Sequence, residues 1–191
     1  MLKTDILRAI TKGNQHRGFL EEIQEKRCKT PKSIVILDDD PTGTQTVYNL
    51  PVVTRWSLSV LEEEFKKSPI FFILTNSRSL QAEEANELAE TIGERLQELS
   101  KKYNKELVVV SRGDSTLRGH YPNEVNALAK GLGIEPVTHI LAPAFFEGGR
   151  YTYNNVHYVK EGEEFIPVNK TPFAKDNTFG YQNSNVTHWI L

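Results

Sequence analysis

Ser33-Ile34-Val35-Ile36-Leu37 runs without a break into Asp38-Asp39-Asp40-Pro41-Thr42-Gly43-Thr44. A short apolar run rich in β-branched side chains has the length of a buried strand. The three carboxylates at its end repel one another, so a loop that gathers them has a use for their charge. Such acids accept hydrogen bonds from a polyol, take a proton from a hydroxyl, or hold Mg²⁺. Pro41 and Gly43 tighten the loop. A capped turn with solvated acids is the structural alternative.

The same grammar recurs downstream. Leu50–Thr54 reads as a weaker strand, Leu58–Lys67 as a short helix and Ile70–Leu74 as a buried strand. Gln81–Tyr103 is an amphipathic helix, with Ala85, Leu88, Ile92, Leu96 and Leu99 on one face. Leu107–Val110 and Thr138–Leu141 read as further strands, with a helix over Asn123–Leu132 between them. Strand, loop and helix in alternation predict an α/β fold: a mainly parallel sheet flanked by helices, Rossmann-like. After Arg150 the pattern changes to a C-terminal β-hairpin excursion, with a turn at Glu161–Glu163 and a last helix capped by Ser184. Upstream, residues 1–32 read as a helical N-terminal extension that ends in the linker KTPKS, and 33–191 as one ligand-binding domain.

Composition bounds the partners. Of 191 residues, 38% are hydrophobic and 25% charged, enough for a packed core, and the net charge is −2. A general nucleic-acid or membrane-surface binder needs a basic surplus, so neither partner is expected. The single cysteine, Cys28, builds no disulfide framework or zinc site within one chain. The start lacks a signal-peptide core and the apolar runs are too short to span a bilayer, so the reading is a cytoplasmic protein. Self-association into a homo-oligomer is left open.

In parallel sheets ligands bind outside the carboxyl ends of the strands, so the loops after the strands carry the candidate chemistry. Asp39, Asp40, Thr42 and Gly43 follow the first. Thr75-Asn76-Ser77-Arg78 follows the third; hydroxyl and amide groups beside a guanidinium suit a hydroxylated anion, and helix capping is the structural alternative. Ser111-Arg112-Gly113-Asp114-Ser115-Thr116-Leu117-Arg118-Gly119 sets two arginine forks, an acid and hydroxyls in one loop, with Gly113 and Gly119 admitting close backbone approach. Glu147-Gly148-Gly149-Arg150 adds another acid and arginine around a flexible pair. The five histidines, His16, His120, His139, His157 and His188, lack metal-pair spacing and read as structural. No residue is assigned as a metal ligand, and neither a phosphate loop nor a dinucleotide fingerprint occurs.

In this order the segments resemble the N-terminal domain of the four-carbon acid sugar kinases, with its DD-x-TG loop, T-x-SR stretch, DSTLRG segment and E-x-GR turn. The likeness covers residues 33–191 and extends to YTYNNVHYV and TPFAKD. It implies a two-domain enzyme whose N-terminal half binds a sugar acid such as threonate, erythronate or a 3-oxo-tetronate. A C-terminal half binds ATP and, with it, Mg²⁺. The ATP site is not in these 191 residues, and the chain stops on Ile190–Leu191 within an apolar run; it therefore reads as a truncated kinase, inactive without its nucleotide-binding partner domain. Asp38 and Pro41 depart from the family's usual residues.

As a mechanism, Asp39 or Asp40 orients or deprotonates the attacking hydroxyl. Arg118, with Arg78 or Arg112, clamps the carboxylate, while Ser77, Asp114 and Ser115 hold hydroxyls. Glu147 and Arg150 lie toward the nucleotide-binding domain. Two alternatives stand beside this reading. One is a haloacid-dehalogenase-type phosphatase with Asp38 as nucleophile, Asp40 as acid/base and Thr42 after them. The other is a non-catalytic sugar-acid-binding remnant.

Overall fold

The structure, a computed structural model, describes residues 19–29, 32–134 and 137–191. Most of the expected N-terminal extension lies outside the described residues. Its described part is helix α1 (Phe19–Lys29), whose Phe19, Leu20 and Ile23 are all more than half exposed.

The apolar run at 33–37 forms the middle of strand β1 (Lys32–Asp38). Strand β2 spans only Val52–Val53. β1 pairs in parallel with β3 (Ile70–Leu74) on one side and β4 (Glu106–Arg112) on the other, giving the order β2-β3-β1-β4. Such a central parallel strand needs apolar residues on both faces, which explains the unbroken run. Val35, Leu37, Phe71, Ile73 and Val53 form one core with three helices. These are α2 (Leu58–Lys67), α3 (Ala82–Tyr103) and α4 (Asn123–Leu132).

Phe65 of α2 and Ile92, Leu96 and Leu99 of α3 are wholly buried in that core. Each such side chain contributes roughly 1.5–3 kcal/mol by leaving water. The start of α3 is fixed by Glu84, whose carboxylate accepts the Gln81 amide proton at 3.2 Å. Its end is fixed by Asn104 in the left-handed region, at φ 47°. Gly93 and Gly131 let α3 and α4 touch backbone to backbone. A Cβ on Gly93 would stand 2.7 Å from the Leu128 carbonyl, and one on Gly131 would overlap the Glu90 carbonyl.

These elements belong to one of two compact units, Leu20–Gly113 with Gly119–Thr138. The other contains Asp114–Arg118 and His139–Leu191. It carries a separate antiparallel sheet of β5 (Arg150–Tyr153), β6 (Val156–Glu161) and β7 (Glu164–Pro167). Tyr158 and Phe165 pack with Tyr151, Tyr153 and Val156. Leu117, Val159 and Val168 pack with Phe173, Tyr181 and Trp189.

Three expectations change. Thr138–Leu141 joins no strand ladder among the described residues, and Ile140 is 93% exposed; a short apolar run records apolarity but does not supply a partner. The expected hairpin is a three-strand meander, because Asn154 and Asn155 both adopt positive φ (48° and 62°) and make a tight first turn. The last helix, α5 (Val186–Trp189), is capped by Asn185, whose side chain accepts the Thr187 amide proton at 3.0 Å. Ser184 instead donates to Asn169 Oδ1 at 2.6 Å. Among the described residues no helix is long and apolar enough to cross a membrane.

Candidate functional site

Each unit carries its own charged cluster. In the first, parallel register sets Asp38 beside both Leu74 and Arg112, so the carboxyl ends of β1, β3 and β4 lie side by side. The Asp38 carbonyl accepts the Thr75 hydroxyl proton at 3.0 Å, and Asn76 turns the chain at φ 54°. Arg78, two residues on, donates in a fork to Asp39 at 3.0 and 2.6 Å and lies 3.3 Å from Asp40. Arg112 lies 3.2 Å from Asp38 and 3.7 Å from Asp39. Asp40 also accepts the Thr42 amide proton at 2.7 Å and the Thr42 hydroxyl proton.

The three carboxylates are therefore not equivalent. Asp38 is wholly buried, and among the described residues its Oδ2 has no hydrogen-bond partner. Burial pushes its pKa up to about 6; Arg112 opposes the rise, and Asp39 and Asp40 reinforce it. Burial acts upward on Asp40 as well, but the two Thr42 donors, Arg78 and Arg112 together hold it below the ordinary value. A Cβ on Gly43 would overlap the Asp38 carboxylate, which explains a glycine there without any special backbone angle. Gly113 and Gly119 border Asp39, where a Cβ would make ordinary contact with its Oδ2 at 3.9 and 3.6 Å; Gly119 is constrained instead by its φ of 146°.

The neighbourhood includes two residues that sequence reading did not assign to the site. Glu124, in the first turn of α4, has its pKa raised to about 7 by burial; a hydrogen bond with Ser77 opposes the rise, and Asp39 adds to it. His120 Nε2 lies 3.1 Å from the Ser77 carbonyl and so donates to it. Ser77 itself is buried, with its hydroxyl 3.2 Å from that of Thr75. An acid in a first helical turn reads as ordinary dipole compensation, so Glu124 gave no separate signal.

The second unit's cluster is built on the DSTLR loop. Leu117 holds φ 68°, an unfavourable angle for a branched side chain, and its burial against Val159 and Val168 keeps it there. His157 Nε2 donates to the Ser115 carbonyl at 2.8 Å, and Tyr181 donates to the Thr116 carbonyl at 2.5 Å. Burial, aided by Arg150, lowers the His157 pKa despite the Ser115 bond. Burial, aided by Asp114, pushes the Tyr181 hydroxyl up. Both side chains are fixed structural supports.

Arg118 donates from Nε to Asp114 at 2.8 Å and lies 3.6 Å from Asp176. Asp176 is held below the ordinary carboxylate range, first by the Phe179 and Thr178 amides. Arg118 and Arg150 both sit over the Phe173 ring, their guanidinium carbons 5.2 and 5.5 Å from its centre. Among the described residues Arg150 has no carboxylate partner: Nη1 donates to the Gly148 carbonyl, and the buried Nε has no acceptor. Glu147 is exposed, and no bond joins it to Arg150. Phe173 and Asp176 lie in the TPFAKD segment, whose composition alone does not announce a site.

The family model described as the sugar-binding N-terminal domain matches residues 34–191. The chain belongs to this family. Among solved structures, this sugar-binding domain is similar to a domain of unknown function from Bordetella bronchiseptica, crystallised with bound citrate as a domain-swapped dimer. The two share 24% identity over 82% of this chain and 39% of that one, with a TM-score of 0.65. At that identity the likeness concerns the fold, and the sugar-binding domain spans 39% of the other chain's length. No curated protein matches it.

Proposed function

We propose that this sugar-binding domain is the substrate-binding half of an ATP-dependent kinase for a four-carbon sugar acid of the threonate, erythronate or 3-oxo-tetronate type. The observation that carries the reading is the acid-rich cluster at the carboxyl ends of β1, β3 and β4, assembled from two of the four ordered motifs. Bound citrate in the solved relative, itself a hydroxy acid, supports the same ligand class.

The chain's own groups divide the work. Asp40 is partly exposed and charged at neutral pH, so it accepts the proton of a hydroxyl or orients it for attack. Asp39, gripped in a fork by Arg78, is its positioning neighbour. Arg78, Arg112 and Arg118 are already neutralised by aspartates, so their part is to fix those carboxylates. Ser115 contributes its carbonyl to loop geometry, and its side chain is left for a ligand hydroxyl.

These residues do not fit an ATP–Mg²⁺ site. No glycine-rich phosphate loop is present in the sequence, and among the described residues no three acidic, histidine or cysteine side chains are arranged to hold a metal. In the proposed reading ATP and Mg²⁺ are bound by a separate nucleotide-binding domain, which supplies the phosphoryl group. The phosphatase alternative meets an obstacle in Asp38, whose carboxylate is buried beneath Gly43 and closed to in-line attack on a phosphate ester.

Calorimetric titration of the chain with threonate, erythronate and 3-oxo-tetronate tests the proposal. Saturable one-to-one binding of at least one acid is expected. Absence of heat and of thermal stabilisation with all three overturns it.

A further inference from the structure

We propose that Arg150, seated on the Phe173 ring beside Arg118, is the residue of the C-terminal unit that takes the anionic group of the ligand, a carboxylate or a phosphate. The sequence reading counted Arg150 among the substrate-binding candidates, at the edge facing the nucleotide-binding domain, and gave the carboxylate to Arg118; here an anion is assigned to Arg150.

The argument begins with charge. Two guanidiniums sit over one aromatic ring, which favours each of them through the ring quadrupole but leaves their mutual repulsion to be answered by anions. For Arg118 the answer is internal: Asp114 at 2.8 Å and Asp176 at 3.6 Å. For Arg150 the described residues offer the Gly148 carbonyl, a neutral acceptor, and no carboxylate. A guanidinium presents five N–H donors, and here the buried Nε–H has no acceptor among the described residues. An unmet buried donor of a charged group is costly unless something else fills the place.

The backbone supports this position. Arg150 opens β5, and its amide and carbonyl both bond Phe145, at 2.8 and 3.1 Å. Gly149, at φ 75°, makes the sharp entry. The head group is thus carried on a closed turn and a strand end rather than on a loose loop. Burial, aided by the Arg150 charge, lowers the His157 pKa, so this neighbour adds no second positive charge beside Arg150. A planar fork of this kind matches a carboxylate or phosphate through two parallel hydrogen bonds.

The inference relies on the proposed sugar-acid reading only for the identity of the anion. The test therefore uses three probes with the intact chain: inorganic phosphate, malonate and threonate. At least one should bind with one-to-one stoichiometry, and Arg150→Gln should weaken it at least tenfold. Nuclear magnetic resonance of the unsubstituted chain supplies a second readout that needs no folded variant: the Arg150 Nε–H signal, assigned by through-bond correlation to its own side-chain and backbone nuclei, should shift on saturation. If no probe binds, or if binding leaves both the Arg150 signal and the Arg150→Gln affinity unchanged, the anion site is overturned. If phosphate or malonate binds through Arg150 and no four-carbon hydroxy acid binds, the anion site stands and the sugar-acid reading falls. If threonate binds equally well without Arg150, the reverse holds.

Discussion

The two charged clusters differ in how their charges are balanced. In the N-terminal unit Asp38, Asp39, Asp40 and Glu124 share Arg78 and Arg112, so acid exceeds base and two carboxyls have raised pKa values, Asp38 to about 6 and Glu124 to about 7. In the C-terminal unit Asp114 and Asp176 satisfy Arg118, and Arg150 is left with a carbonyl. Surplus acid suits groups that accept or hold protons. A guanidinium that no carboxylate among the described residues meets suits an anion. The sequence motifs, read one at a time, show arginines and aspartates in both places and conceal this difference.

The difference makes the arginines separable by stability. Removing Arg78 leaves the Asp39 carboxylate, whose side chain is only 8% exposed, without its fork. Arg78→Ala should cost about 3–5 kcal/mol in urea denaturation, the usual penalty for stranding one half of a buried pair. Arg150→Gln strands no carboxylate and should cost under about 1 kcal/mol. Equal losses in the two variants would erase the distinction between a structural and a ligand-directed arginine.

A smaller effect sharpens the acid-rich side. The Asp38 pKa rises from 3.8 to about 6 in the folded chain. Below about pH 4 the carboxyl is protonated in both folded and unfolded chains, and the difference costs nothing. As pH rises through 6 the folded chain must ionise a buried group, and stability falls by about 2–3 kcal/mol relative to acid conditions. Asp38→Asn should therefore be more stable than the parent near pH 8, with the gain vanishing near pH 4 in parallel urea titrations. A gain that is the same at both pH values would show that ionisation is not its source. On the other side, Tyr181→Phe removes the bond to the Thr116 carbonyl and should cost about 1 kcal/mol by thermal melting, while leaving the pH profile unchanged.

Much of the first unit was legible because its signals are local. SIVIL and IFFIL are long enough to be buried strands, and the polar residues that follow them mark the carboxyl edge of a parallel sheet. Thr138–Leu141 looks the same on paper but has no strand partner among the described residues, since pairing depends on chain that lies elsewhere. The Asn154-Asn155 turn was readable in principle, because paired asparagines tolerate positive φ. Pairing among charges was not. Whether Arg118 is free or spent depends on Asp176, which is 58 residues away in sequence, and whether Asp39 has a fork depends on the loop after β3. Glu124 was hidden for the same reason: its first-turn position is ordinary, and its burial beside Ser77 is a tertiary fact.

The central claim is that the acid-rich cluster of the N-terminal unit recognises a hydroxyl group of a small hydroxy acid. Titrating the intact chain with threonate and with succinate, a four-carbon acid without hydroxyls, tests it most directly. The account predicts one-to-one binding of threonate and at least tenfold weaker binding of succinate, with Asp40→Asn narrowing the gap. Equal affinity for the two acids, unaltered by Asp40→Asn, would contradict it.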